Sequence, residues 1–194
     1  APTDTSSQVA SMTTDDAAII GAGPIGLEIA QAFARFGSQV TVFDILPTMG
    51  GLRDPEGLAL IRSALEADGV EFFLESQTQK IERIGADKRI TFEHQGQTKQ
   101  VHVDEILLAA GRRPNVEGLN LEAAGIAYNR QGLMVNDRLQ TNNPDIYGAG
   151  DVAIPAQFTH TADATARIVL QNAFFLGRQK YSDLIIPWTV FTDP

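Results

Sequence analysis

Cysteine is absent from the 194 residues, which excludes a structural disulfide, a thiolate metal site or a cysteine nucleophile among them. Histidine is scarce: His94, His102 and His160 stand far apart and none falls in a ligand-spaced pair, so no metal centre is expected. Positive charge is the minority, 15 Lys and Arg against 24 Asp and Glu for a net charge of -9. A phosphate-backbone binder needs the opposite sign, so nucleic acid is not an expected partner. Hydrophobic residues make up 43%, yet charges interrupt them everywhere and no apolar run approaches the roughly 20 residues of a membrane span. Residues 1–16 lack the basic start and apolar stretch of a signal peptide; rich in Ser, Thr and Asp, they read as a leader or linker. The expected location is the cytoplasm. Internal repeats are lacking too.

What is there begins at residue 17. Ala17–Ile20 is a short apolar run ending in Gly21, and Ile25, Ile29, Phe33 and Phe36 then recur at helical spacing up to Gly37. Gln39–Phe43, with β-branched residues around Val40 and Val42, predicts a second strand that stops at Asp44. Asp54, Pro55 and Glu56 supply an N-cap, a first-turn proline and an acid at the positive end of a helix with Leu58, Ile61 and Leu65 turned inward. Gly69 ends that helix and Val70–Leu74 makes a third strand. The order βαβαβ is the repeating unit of a parallel sheet covered by helices.

Next, short alternating segments at 78–84, 89–93 and 99–103, separated by Gly85 and Gly96, predict an antiparallel meander, and 106–110 reads as a buried strand. After Gly111 the texture changes to loops rich in Asn and Gly, which places a domain boundary there. A helix is expected over 161–177, with Asp163 near its start and Arg178 and Lys180 past its end, and 185–191 leans toward strand. The fold class is α/β: a Rossmann-like nucleotide-binding domain at 17–111, built as a parallel sheet with an antiparallel meander, followed by a second domain.

GAGPIG at 21–26 sets Gly21, Gly23 and Gly26 in a GxGxxG frame between a strand and a helix. In that frame Gly21 turns the chain, Gly23 lets the backbone approach a pyrophosphate, and Gly26 lets helix and strand pack closely. The helix offers free N–H groups and its positive end to the diphosphate. Asp44, 23 positions after Gly21, ends the second strand, where a carboxylate accepts ribose hydroxyls and repels a 2'-phosphate. No Arg or Lys follows it until Arg53, so NAD(H) is favoured over NADP(H). A plain strand-end aspartate capping a turn is the alternative for Asp44.

Three blocks in order, GAGPIGLEIA at 21–30, LLAAGRRPN at 107–115 and LQTNNPDIYGAGD at 139–151, resemble the FAD-dependent pyridine nucleotide-disulfide oxidoreductases. That family includes dihydrolipoamide dehydrogenase, glutathione reductase and mercuric reductase. The stretches 157–175 and 186–194 look most like its mercuric reductase branch. The resemblance implies an NAD(P) site at Gly21, Gly23, Pro24, Ile25, Gly26, Glu28 and Asp44. Within it, Glu28 would lie near nicotinamide and flavin, and Pro24 stands where some members carry a tyrosine lid. It implies a crossover into the FAD domain at Gly111. It also implies FAD contacts at Gly150, Asp151, His160, Thr161 and Ala162, the last three opening a helix aimed at the flavin pyrimidine.

The alternatives are a turn aspartate at Asp151, a helix-entry polar residue at His160, and surface charges at Arg112 and Arg113. On the same resemblance, 112–185 is part of an FAD-binding domain and 186–194 the start of a dimer-interface domain, in a parent expected to be a homodimer. The family's first glycine fingerprint and redox disulfide are not among these residues, so a central piece with an incomplete FAD site and no catalytic residue of its own is expected. The parent is read as a flavoenzyme passing hydride from NAD(P)H to FAD and on to a disulfide or metal ion. An NADH oxidase or ferredoxin reductase-type flavoenzyme and a non-catalytic dinucleotide-binding module are the other readings.

Overall fold

An apolar run with no polar alternation suits a strand covered on both faces. In the computed structural model, which describes residues 16–49 and 54–193, that run is β1 (Asp16–Ile20) at the centre of a parallel sheet. The sheet continues with β2 (Gln39–Phe43), β3 (Glu71–Phe73) and β7 (Glu105–Leu108) in the order β3-β2-β1-β7. The chain thus runs outward from β1 on one side and returns to its other side, so β1 is the point where strand order reverses. Crevices that take ligands open at the carboxyl ends of strands at such a reversal. Most of the expected leader, residues 1–15, lies outside the described residues, as does Arg53.

The two faces of β1 feed two cores. Ala17 and Ile19 pack with Val40, Val42, Leu27, Ala30 and Leu65, beneath α1 (Pro24–Arg35) and α2 (Pro55–Ala67). Ala18 faces the other way, toward Phe43, Ile90, Phe92 and Val103. There Phe92 meets Phe43 edge-on at 4.8 Å and tilts against Phe73 at 5.0 Å, an aromatic cluster that glues the meander to the sheet. The meander is β4 (Ser76–Ile84), β5 (Asp87–His94) and β6 (Gln97–Val103), antiparallel throughout. Its register slips between Thr78 and Lys80, a bulge that bends β4 where it starts beside the strand ends. The expected cap of α2 is present: the Asp54 carboxylate accepts from the amides of Glu56 and Gly57 at 3.1 and 3.2 Å, with Pro55 opening the helix.

One compact unit ends at Gly111 and takes in the residues from Thr189 onward; a second comprises Arg112–Trp188. Within the second, the stretch read as loops contains a small hairpin, β8 (Tyr128–Asn129) and β9 (Gly132–Leu133). Its core gathers Leu139, Ala153, Ile154 and Ile168 beside α3 (Thr159–Phe174).

Two expectations shift. The last helix begins at Thr159 and closes at Phe174, three residues early, because Leu176 adopts φ 52° and the Gly177 amide turns back to the Gln171 carbonyl at 2.9 Å. Arg178 and Lys180 therefore fall outside its last turn. No strand forms over 185–191. β-leaning composition there does not find a neighbouring edge, and the Phe191 amide is received by the Glu28 carboxylate instead of a strand.

Leu27 is fully buried on the sheet side of α1, whereas Leu60 on α2 is 68% exposed. Leu27→Ala is expected to lower the unfolding free energy by about 2–5 kcal/mol and Leu60→Ala by less than about 0.5 kcal/mol, measured by chemical denaturation followed by circular dichroism.

Candidate dinucleotide site

At the carboxyl end of β1 the chain turns at Gly21, whose φ of +113° suits glycine, and whose amide donates to the Phe43 carbonyl at 2.7 Å. A Cβ on Gly21 would stand 2.4 Å from the Ala109 carbonyl oxygen, beyond β7. One on Gly26 would stand 2.0 Å from the Gly21 carbonyl oxygen. These two positions admit only hydrogen because the turn is wedged between β7 and the first turn of α1. Gly23 differs: a Cβ there would meet nothing within 4 Å. Its backbone faces open space, the cradle a phosphate needs. Gly23 is also the N-cap of α1 and brings no side-chain hydrogen bond to it, and Pro24 follows at the first helical position.

A cavity of about 680 Å³ opens over this turn, lined by Gly21, Gly23, Pro24, Ile25, Asp44, Thr78 and Gly111 among others. Ile25 is half exposed and supplies part of its apolar wall. A second cavity of about 600 Å³ adjoins it through Ile45, Ser76 and Gln77. Sequence reasoning missed Thr78 and the β4 contribution, because a bulge in an antiparallel strand leaves no local signal beside a parallel sheet.

Asp44 does more than end a strand. One carboxylate oxygen accepts from the Ala22 amide at 2.7 Å and the other from the Leu46 amide at 2.9 Å. The carboxylate therefore ties the glycine turn to the segment after β2, and each oxygen retains a further lone pair for a hydroxyl donor. The turn-capping reading of Asp44 is met by this geometry.

Glu28 sits on α1 one turn beyond the glycines, and its Oε1 accepts from the Phe191 amide at 3.0 Å. Gly111 has φ +95° and closes the cavity on the side of β7.

In the second unit a 3-10 turn at Gly150–Val152 carries Asp151. Arg112 Nη1 lies 3.5 Å from the Asp151 carboxylate and donates to the Gln157 carbonyl at 3.1 Å, so Arg112 is tied to this turn. Arg113, paired at 3.7 Å with Glu117, is a surface charge. Gly150 packs under α3, where a Cβ would come within 3.2 Å of the Ala162 Cβ, and its amide donates to the Thr165 hydroxyl at 3.0 Å. Closeness to the helix is thus the task that the structure gives this glycine.

The N-terminus of α3 has no side-chain cap, so its first amides are open to a ligand. Thr161 is 1% exposed, and among the described residues its Oγ1 has no hydrogen-bond partner. An orphaned hydroxyl beside an uncapped helix end fits a polar ligand there. His160 is exposed and stacks on Phe158 at 5.3 Å, with Trp188 edge-on to Phe158 at 5.9 Å.

A family model described as pyridine nucleotide-disulphide oxidoreductase matches residues 3–167. The mercuric reductase of Staphylococcus aureus is 36% identical over 178 residues, covering 91% of this chain and 32% of its own. The dihydrolipoyl dehydrogenase of Thermus scotoductus is 35% identical over 179 residues, covering 91% and 38%. Among solved structures, the HOCl-induced flavoprotein disulfide reductase RclA from Escherichia coli superposes with a TM-score of 0.82 at 31% identity, over 92% of this chain and 41% of that one. LpdA from Mycobacterium tuberculosis does so with a TM-score of 0.84 at 25% identity, over 93% and 39%. The chain spans about a third of the length of the curated relatives. No helix among the described residues is long and apolar enough to cross a membrane.

The two kinds of glycine are separable by experiment. Gly26→Ala forces backbone apart and is expected to cost about 1–3 kcal/mol or more, while Gly23→Ala stays within about 1 kcal/mol of the parent, both read from thermal and denaturant unfolding.

Proposed function

Because the chain belongs to the pyridine nucleotide-disulphide oxidoreductase family, we propose that its first unit holds NAD(H) over the glycine turn and its second unit supplies part of an FAD site. In this reading the parent enzyme passes hydride from NAD(P)H to FAD and on to a disulfide or metal ion. The observation that carries it is the open space before Gly23, inside a cavity lined by Asp44 and by the ends of the parallel strands.

Each residue has a physical task there. The uncapped amides of α1 and its positive end receive the pyrophosphate, with Gly23 allowing the approach. Asp44, already ordered by the amides of Ala22 and Leu46, accepts the adenosine ribose hydroxyls through its remaining lone pairs. An added 2'-phosphate would set negative charge against that carboxylate, so NADH is preferred to NADPH. Glu28 borders the nicotinamide. In the second unit Asp151, steadied by Arg112, accepts a ribitol hydroxyl, and the amides at the start of α3 with the Thr161 hydroxyl face the pyrimidine edge. The flavin, when bound, supplies the hydride-accepting ring. These 194 residues hold one glycine fingerprint and no cysteine, so a dithiol half-reaction is not carried by them.

Calorimetric titration of the chain with both cofactors tests this reading. NADH is expected to bind more tightly than NADPH, and Asp44→Ala to weaken NADH by about 1–3 kcal/mol through the loss of charge-assisted hydrogen bonds. Gly23→Val is expected to weaken it further. Equal affinities, or a preference for NADPH, would overturn the assignment of Asp44.

The chain is also expected to purify without stoichiometric flavin, since only the ribitol and pyrimidine contacts are assigned to it. A yellow preparation holding one equivalent would contradict that assignment.

A further inference from the structure

Glu28, Gln31 and Arg35 recur three and four residues apart and so share one stripe of α1. That stripe does not face solvent alone. Gln31 is 4% exposed, and burying an amide is costly unless its donors and acceptor are all engaged. They are engaged by Asp68 and by the segment 189–193, the latter more than 150 residues away in sequence. The Asp193 amide donates to Gln31 Oε1 at 2.8 Å, and Gln31 Nε2 donates to the Asp193 carbonyl at 2.7 Å and to the Asp68 carboxylate at 2.9 Å. The side-chain amide thus pairs with both backbone groups of Asp193, as a neighbouring strand would.

Arg35 completes the clamp from the next turn. Its Nη1 donates to the Asp193 carboxylate at 2.9 Å, its Nη2 to the Asp193 carbonyl at 3.2 Å, and its Nε to the Asp68 carboxylate at 2.8 Å. Val190 packs into the core beneath the helix. Two residues before Asp193, the Phe191 amide donates to Glu28 Oε1 on the same helix stripe. A glutamate on an exposed helix face otherwise samples several rotamers, and a backbone donor held in place removes that freedom.

We propose that Gln31 is a positioning residue for the nicotinamide end of the dinucleotide: by holding Asp193 it holds the Phe191 amide against Glu28, and so aims the Glu28 carboxylate. The inference rests on the reading that Glu28 borders the nicotinamide. It gives a buried glutamine on an amphipathic helix a task beyond filling space. It also makes the docked segment part of the site although that segment does not line the cavity.

The test uses the whole chain and two ligands, NADH and ADP-ribose, which shares the adenosine, the diphosphate and the second ribose but has no nicotinamide. Hydrogen exchange at the Phe191 and Asp193 amides is read alongside. In Gln31→Leu, similar in volume and without hydrogen-bonding groups, both amides are expected to exchange about tenfold faster or more. NADH affinity is expected to fall about three- to tenfold while ADP-ribose stays within about twofold.

Equal loss for the two ligands would assign Gln31 a general structural role and overturn the proposal. So would faster exchange with NADH affinity unchanged. Should Gln31→Leu fail to fold, Arg35→Leu loosens the same clamp from the exposed side and is expected to give the same ligand discrimination, smaller in size; equal loss there overturns the proposal as well. If the unsubstituted chain binds ADP-ribose and NADH equally well, the placement of Glu28 at the nicotinamide fails and takes the proposal with it. If it binds neither, the dinucleotide reading itself is what falls.

Discussion

The closeness of α1 to the strand it leaves governs the first unit. Hydrogen is the only substituent that fits at Gly26 against the Gly21 carbonyl, and at Gly21 against the Ala109 carbonyl. With those two contacts made, the first turn of α1 has to stand over the ends of β1 and β7, and its unpaired amides have to face the crevice at the strand-order reversal. The Asp44 carboxylate then reaches the Ala22 amide across the turn, which brings the end of β2 into the same arrangement. Three strand ends and one helix end are thereby held by close backbone contacts and one side-chain carboxylate that is fixed by a backbone amide.

The second unit repeats the device with different atoms. Gly150 admits Ala162 at close range, its amide is received by the Thr165 hydroxyl, and the single proton of that hydroxyl is shared between the Thr161 and Ala162 carbonyls at 2.8 and 3.0 Å. Thr165 is fully buried, so each of these bonds is made in a low dielectric where an unmade one would be costly. The result is again an uncapped helix end beside a glycine, with an acidic residue on the adjoining turn. The helix α1 has, in addition, two occupied faces. Leu27 and Ala30 go into the sheet, while the polar stripe receives residues 191 and 193. A helix used on both sides tolerates fewer substitutions than its simple amphipathic pattern suggests.

Periodicity, glycine spacing and caps act within a few residues, and so the sequence by itself determined the parallel α/β unit, its meander, the glycine turn, the Asp54 cap and the approximate place of the last helix. The helix boundary at Phe174 was displaced only because a left-handed residue, Leu176, closes it, and leucine carries no signal for that conformation. What tertiary structure alone decided are the contacts between distant residues: both Asp44 oxygens engaged by backbone amides, Thr78 brought to the cavity by a bulge, and Arg112 laid against Asp151. The docking of Phe191 and Asp193 on α1 belongs with them. In each case the partner lies on another element, and the free energy comes from satisfying a buried or charged group whose need is invisible in composition. A glutamine at position 31 reads locally as a polar helix residue; it becomes a clamp only when a chain segment 162 positions away supplies a donor and an acceptor, and Asp68 the second acceptor, that its burial requires.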